Sequence, residues 1–334
     1  MSHRTASGIR EVTGCNATGS PNAPILEGSI GQTAAEGLVH VTADVESFSR
    51  GRVLVVAFEG WNDAGDAATG TVRLLQEQLA LVPLASVDPE DYYDYQFTRP
   101  TVAAGEDGRR SIRWPGTTLY GPAVENGEPG SVYLLLGIEP SRSWKNFTAE
   151  ILDAALAADV TAVVFLGAML ADVPHTRPIS IFSTSENPDV RRTFAVERSS
   201  YEGPVGILSV IADAAEALGM PTLSIWASVP HYVHNAPSPK AVLALADRLE
   251  EIIDVVIERG ELLADAAEWE QGIDALADED DEMATYIQQL EQARDTVESP
   301  DASGDAIAEE FERYLRRRGD KPDGRSGDEP WGKG

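Results

Sequence analysis

From residue 53 onward the chain alternates short, unbroken apolar runs with stretches whose apolar positions recur every three or four residues. VLVVAF (53–58), SVYLLLGI (131–138), TAVVFLGA (161–168) and LSIWASV (223–229) are short and rich in β-branched residues, and read as buried strands. The spacing predicts helices over 64–81, near 144–158 and over 206–219, the first with Asp63 as N-cap and Asp66 three residues on. A longer helix is expected after SPK. Ser238 can cap it, Pro239 suits its first position, and Val242, Leu245, Leu249, Ile252 and Val256 share one face until Gly260. Residues 92–120 mix aromatics with polar breaks and read as short strands around the turn GEDG. Such alternation predicts a three-layer α/β/α domain whose mostly parallel sheet is covered on both faces.

The flanks break this pattern. Residues 1–45 are rich in small polar residues without periodicity and read as a disordered leader, placing the α/β domain at 46–265. A C-terminal helical extension is expected over 266–318 and a disordered tail over 319–334. In the extension Met283, Tyr286, Ile287 and Leu290 make one apolar stripe, while Ile307, Phe311, Tyr314 and Leu315 make another beyond the linker VESPDASG.

Composition narrows the partners. The chain has 334 residues, with 55 acidic against 26 basic ones, a net charge of −29 that repels nucleic acid and anionic membranes. Its one cysteine, Cys15, excludes an internal disulfide framework and a thiolate metal cage. The longest apolar window, VTAVVFLGAMLA, falls short of the roughly 20 residues that span a bilayer. No secretory h-region opens the sequence, so a soluble, cytoplasmic protein is expected.

The polar residues of interest follow predicted strands: Glu59, Glu139 with Arg142, His175 with Arg177, and His231 with Tyr232. In open α/β sheets ligands bind outside the carboxyl ends of the strands, so these groups are expected to line one crevice or an interface. Each also has a plainer reading. Asp63 reads first as a helix cap, and Trp61 as a packing residue or subunit contact. Gly60 and Gly65 suit a tight turn, since GWNDAG matches no phosphate-binding fingerprint. Arg177 suits an anion or an internal ion pair equally. His231 and His234 lack further ligands, so no metal and no cofactor are expected. Neither a Gly-x-Ser-x-Gly elbow nor His-Glu-x-x-His occurs, and the balance leans away from an enzyme.

Taken in order, FEGWNDAG, GIEPSRSW, VVFLGAMLADVPHTRP, YEGPVGILSVIADAAEALGMPTLSIWASVPHYV and SPKAVLALADRLEEII resemble the PAC2 family, named for a proteasome assembly chaperone, over roughly residues 50–265. The C-terminal helical part is similar to that of actinobacterial members. The resemblance implies a nucleoside-phosphorylase-like outline, self-association, trimers included, and binding to proteasome α-subunits as a non-enzymatic assembly chaperone or adaptor. The family-typical positions are Glu59, Gly60, Trp61, Asp63, Gly65, His175, Arg177, Pro178, Pro230, His231 and Tyr232. The final residues, WGKG, differ from the hydrophobic-tyrosine-residue ending of proteasome-docking relatives. The alternative from the residues alone is a binder or enzyme for a nucleoside- or phosphate-like molecule, with carboxylate, imidazole and guanidinium converging after the strands.

Overall fold

The computed structural model describes residues 46–105, 108–123 and 132–297. The expected leader, the stripe of Ile307, Phe311, Tyr314 and Leu315, its linker and the tail lie outside the described residues. Nine strands are described: β1 (Val53–Glu59), β2 (Val82–Ser86), β3 (Thr101–Ala104), β4 (Arg110–Arg113), β5 (Thr117–Gly121), β6 (Val132–Ile138), β7 (Ala162–Ala171), β8 (Ile181–Thr184) and β9 (Thr222–Pro230). The helices are α1 (Ser47–Arg50), α2 (Ala67–Gln78), α3 (Pro89–Tyr92), α4 (Trp144–Ala157), α5 (Pro188–Phe194), α6 (Ile207–Ala217), α7 (Pro239–Ile253), α8 (Leu262–Asp278) and α9 (Asp281–Val297).

Seven strands form one sheet in the order β2-β5-β6-β1-β7-β9-β8. The four central strands run parallel, β1 against both β6 and β7, and β7 against β9. The edges are antiparallel: β2 and β5 extend one side and β8 closes the other. The mostly parallel core is therefore as expected, and the sheet as a whole is mixed.

Strand β1 shows why its sequence has no polar alternation. Val53, Val55 and Ala57 pack with α2 and α7 on one face, whereas Leu54, Val56 and Phe58 pack with α4 and α6 on the other. Successive side chains leave opposite faces of a strand, so a sheet covered by helices on both sides needs apolar residues at every position. This produces the three layers.

Element boundaries depart from expectation in three places. The segment before α2 is a 3-10 turn over Ala64–Asp66, with Gly65 and Asp66 at positive φ, so the helix begins at Ala67 rather than at 64. At its other end α2 stops at Gln78 rather than 81, and Ala80 has a φ of 48°. Helix α7 ends at Ile253, capped by Asp254 in the left-handed region, and leaves Val256 73% exposed instead of on the apolar face. Its start is as expected, with Pro239 in the first turn and the Ser238 hydroxyl accepting from the Ala241 N–H.

Two features were not foreseen. Phe48 of α1 is buried in the core, although four helical residues give no readable period. Helix α8 runs unbroken through the expected boundary at 265/266, and packs against α7. No helix among the described residues is long and apolar enough to cross a membrane.

Candidate functional site

The nine candidate residues fall into three separate places. The first is the turn after β1. Asp63, nearly buried, accepts from the Ala68 and Thr69 N–H groups at 2.8 and 3.1 Å and from the Thr69 hydroxyl at 2.5 Å. It thereby caps α2 from beyond the 3-10 turn, taking orphan donors of the first helical turn. Burial pushes its carboxyl above the usual 3.8, while the bonds from Thr69 and Ala68 pull the other way. Glu59 pairs with Arg73 of α2. Glu139, after β6, accepts the Ile207 N–H at 2.8 Å and so caps α6.

Between these caps lies a cavity of about 280 Å³. Trp61, Met169, Leu170, Val205 and Trp226 make its apolar wall, with Asn62 beside them. The Asn62 carbonyl accepts from Ala168 at 2.7 Å, stitching the turn to β7. Of this wall only Trp61 was among the expected site residues; Asn62, 3% exposed, and Trp226 were missed together with Met169, Leu170 and Val205. Asn62 sits inside the quoted FEGWNDAG stretch and Trp226 inside the strand LSIWASV, but neither position carries a pattern that marks it as a cavity wall.

The second place lies beneath α8 and α9. His175 is fully buried, with its Nδ1 2.8 Å from the Tyr232 hydroxyl and its Nε2 3.0 Å from Asp274 of α8. The Tyr232 oxygen also accepts the His175 backbone N–H at 2.7 Å. Burial raises the Tyr232 hydroxyl above its ordinary range. Because a carboxylate only accepts, the proton shared with Asp274 comes from Nε2. Lys240 bonds the His175 carbonyl at 2.6 Å and Glu270 of α8. Arg177 makes a two-pronged contact with Asp295 of α9, 2.9 Å at each nitrogen, and reaches Glu291 at 3.3 Å. Of the two uses expected for Arg177, these bonds are the internal ion pair.

His231 lies 3.3 Å from Asp172 without the alignment of a hydrogen bond, and its ring meets Tyr232 and Tyr286 edge-on. His234 is engaged by the His231 carbonyl at 2.9 Å. No group of three or more His, Cys, Asp or Glu among the described residues is placed to hold a metal.

The third place holds Arg142, whose guanidinium donates to the carbonyls of Glu90 and Asp91 at the end of α3. Arg142 is thus bonded into α3 rather than grouped with His175 and Arg177, and the convergent imidazole and guanidinium set imagined for a phosphate does not form. His175 and Arg177 do not line a common crevice for a local reason: the chain's own α8 and α9 supply their partners. The face of Ala266, Trp269 and Ile273 marks a helix that must pack on something, but nothing in the sequence says that its acidic neighbours Glu270 and Asp274 meet Lys240 and His175.

The chain resembles known proteins over most of the described region. The PAC2 family profile matches residues 57–277. A PAC2 family protein from Streptomyces avermitilis is 47% identical, with 71% of this chain and 99% of that one covered and a TM-score of 0.64. A proteasome-assembly chaperone homologue from Mycobacterium tuberculosis is 39% identical, with 70% and 99% covered and a TM-score of 0.63. An archaeal proteasome activator from Pyrococcus furiosus, 13% identical with 67% and 93% covered and a TM-score of 0.54, shares the fold. Comparison with curated proteins gave no match. The extent of the profile match and the two closely similar structures place the chain in one family: it belongs to the PAC2 family.

Proposed function

We propose that this chain is a non-enzymatic, self-associating cytoplasmic protein that acts on the proteasome as an assembly chaperone or adaptor. The observation that carries this is the 39% identity to the mycobacterial proteasome-assembly chaperone homologue, across nearly all of that chain. Physical features of the molecule support it. The side chains that would serve acid–base or phosphate chemistry are consumed inside the fold: Asp63 and Glu139 cap helices, and His175 and Arg177 hold α8 and α9. Protein-binding surface, by contrast, is available. The hairpin β3–β4 pairs Val102 with Ile112 across its strands, both more than half exposed, with Phe97 and Trp114 exposed on its flanks. Exposed apolar side chains gathered in this way mark contact sites for other chains.

The test is affinity capture of the tagged protein from the lysate of its own organism, with quantitative mass spectrometry and a tag-only control. Enrichment of proteasome α or β subunits is expected. Normal proteasome assembly in a strain lacking the protein would overturn the chaperone form, and absence of proteasome subunits from the captured set would overturn the adaptor form as well.

A further inference from the structure

The cavity beside the β1 turn is built, not left over. Trp226 faces Gly167 on the neighbouring strand, where a Cβ would come within 2.5 Å of the indole ring. On its other neighbour, Phe182 stacks parallel to it with centroids 6.5 Å apart. The indole is thus fixed in plane by two strands. A second glycine makes room for Asn62: a Cβ at Gly206 would approach Nδ2 to 2.4 Å. Asn62 is nearly buried, yet its Nδ2 has no hydrogen-bond partner. A buried amide left unpaired is destabilising, and a bound group can recover that loss.

Charge decides what kind of group. Neither Lys nor Arg is among the cavity-lining residues, and His234 is the one ionisable base there. The N-terminus of α6 opens onto the same wall at Gly206 and Ser209, but Glu139 already occupies its Ile207 N–H. An anion entering here would lose water and meet neither a Lys nor an Arg as counter-charge, nor the Ile207 N–H that Glu139 holds.

We infer that this cavity binds a neutral or cationic planar aromatic molecule, of about bicyclic size with a short polar substituent, between Trp61 and Trp226 and hydrogen-bonded to Asn62. Trp61, 43% exposed, forms the rim through which the ring enters. The aromatic wall supplies stacking for the ring and a cation–π contact for a positively charged substituent. The inference is independent of the proteasome role.

The experiment uses the full chain and three ligands that share one ring and differ in charge: tryptamine, indole-3-acetamide and indole-3-acetate. Saturation-transfer NMR followed by calorimetric titration should show the cation and the amide binding about tenfold or more tightly than the anion. Asn62→Leu should weaken the acetamide most. Because a substitution at a buried turn can disturb folding, Ser209→Trp, at an exposed cavity-lining position of α6, serves as the second variant and should weaken both by about tenfold through filling the site. Equal or tighter binding of indole-3-acetate would overturn the charge assignment. No saturation transfer from any of the three, or affinities unchanged in both variants, would overturn the site itself.

Discussion

Asp63 combines two opposed effects in one side chain. Its carboxylate satisfies two backbone donors and the Thr69 hydroxyl, and burial penalises the charge that does so. Asp63→Ala removes the cap and leaves the Thr69 hydroxyl only its bond from Arg73, so calorimetry should find a loss of about 1–2 kcal/mol. An unchanged melting temperature would remove the capping role. Because the folded carboxyl titrates above the unfolded 3.8, its proton-linked contribution is fully present below 3.8 and is lost as pH rises through the elevated folded value. Asp63→Asn should flatten that part of the stability profile, measured as the difference between the two proteins from pH 3 to 7. That Asp63 caps a helix was legible in the sequence, since an Asp stands directly before a helical period. The three-residue offset was not. It depends on Asp66 taking a left-handed φ of 51°, which a non-glycine residue adopts only when its surroundings enforce it.

At the scale of elements, the hairpin of α8 and α9 is the feature that reassigns His175 and Arg177. Two kinds of contact hold it, and their sizes differ. Ile273 of α8 and Ile287 and Leu290 of α9 are buried, each burial contributing about 1.5–3 kcal/mol. The half-exposed ion pairs contribute less, a median of about 0–1 kcal/mol each. Ile273→Asp is therefore expected to release the hairpin, seen as rapid amide exchange throughout α8 and α9. Arg177→Gln should only quicken exchange in α9 and leave the central strands protected. Equal exchange in both variants would contradict this ranking. The Arg177 contact also depresses the Asp295 carboxyl. That contribution is complete above the unfolded 3.8 and is lost as pH falls through the lower folded value, so acid should loosen α9. Strand existence was readable from unbroken runs such as VLVVAF. The partners of His175 were not, because Asp274 lies 99 residues away and no periodicity links distant segments.

For the whole molecule, the antiparallel edges β2, β5 and β8 could not be read from sequence, since short strands carry no mark of direction. The hairpin β3–β4 stands outside the main sheet, and a two-stranded ribbon is marginal alone in water. Its Val102–Ile112 pair, next to Arg110 and Arg113, faces solvent on a chain of net charge −29, which favours contact with the acidic surface of a second copy. Val102→Asp combined with Ile112→Asp should reduce the mass found by analytical ultracentrifugation, and an unchanged mass would exclude the hairpin from self-association. The central claim, action on the proteasome, is tested most directly by biolayer interferometry of the purified full chain against purified proteasome α subunits of its own organism. The account predicts saturable binding that an unrelated acidic protein of similar charge does not reproduce. Absence of binding, or a signal matched by that acidic control, would contradict it.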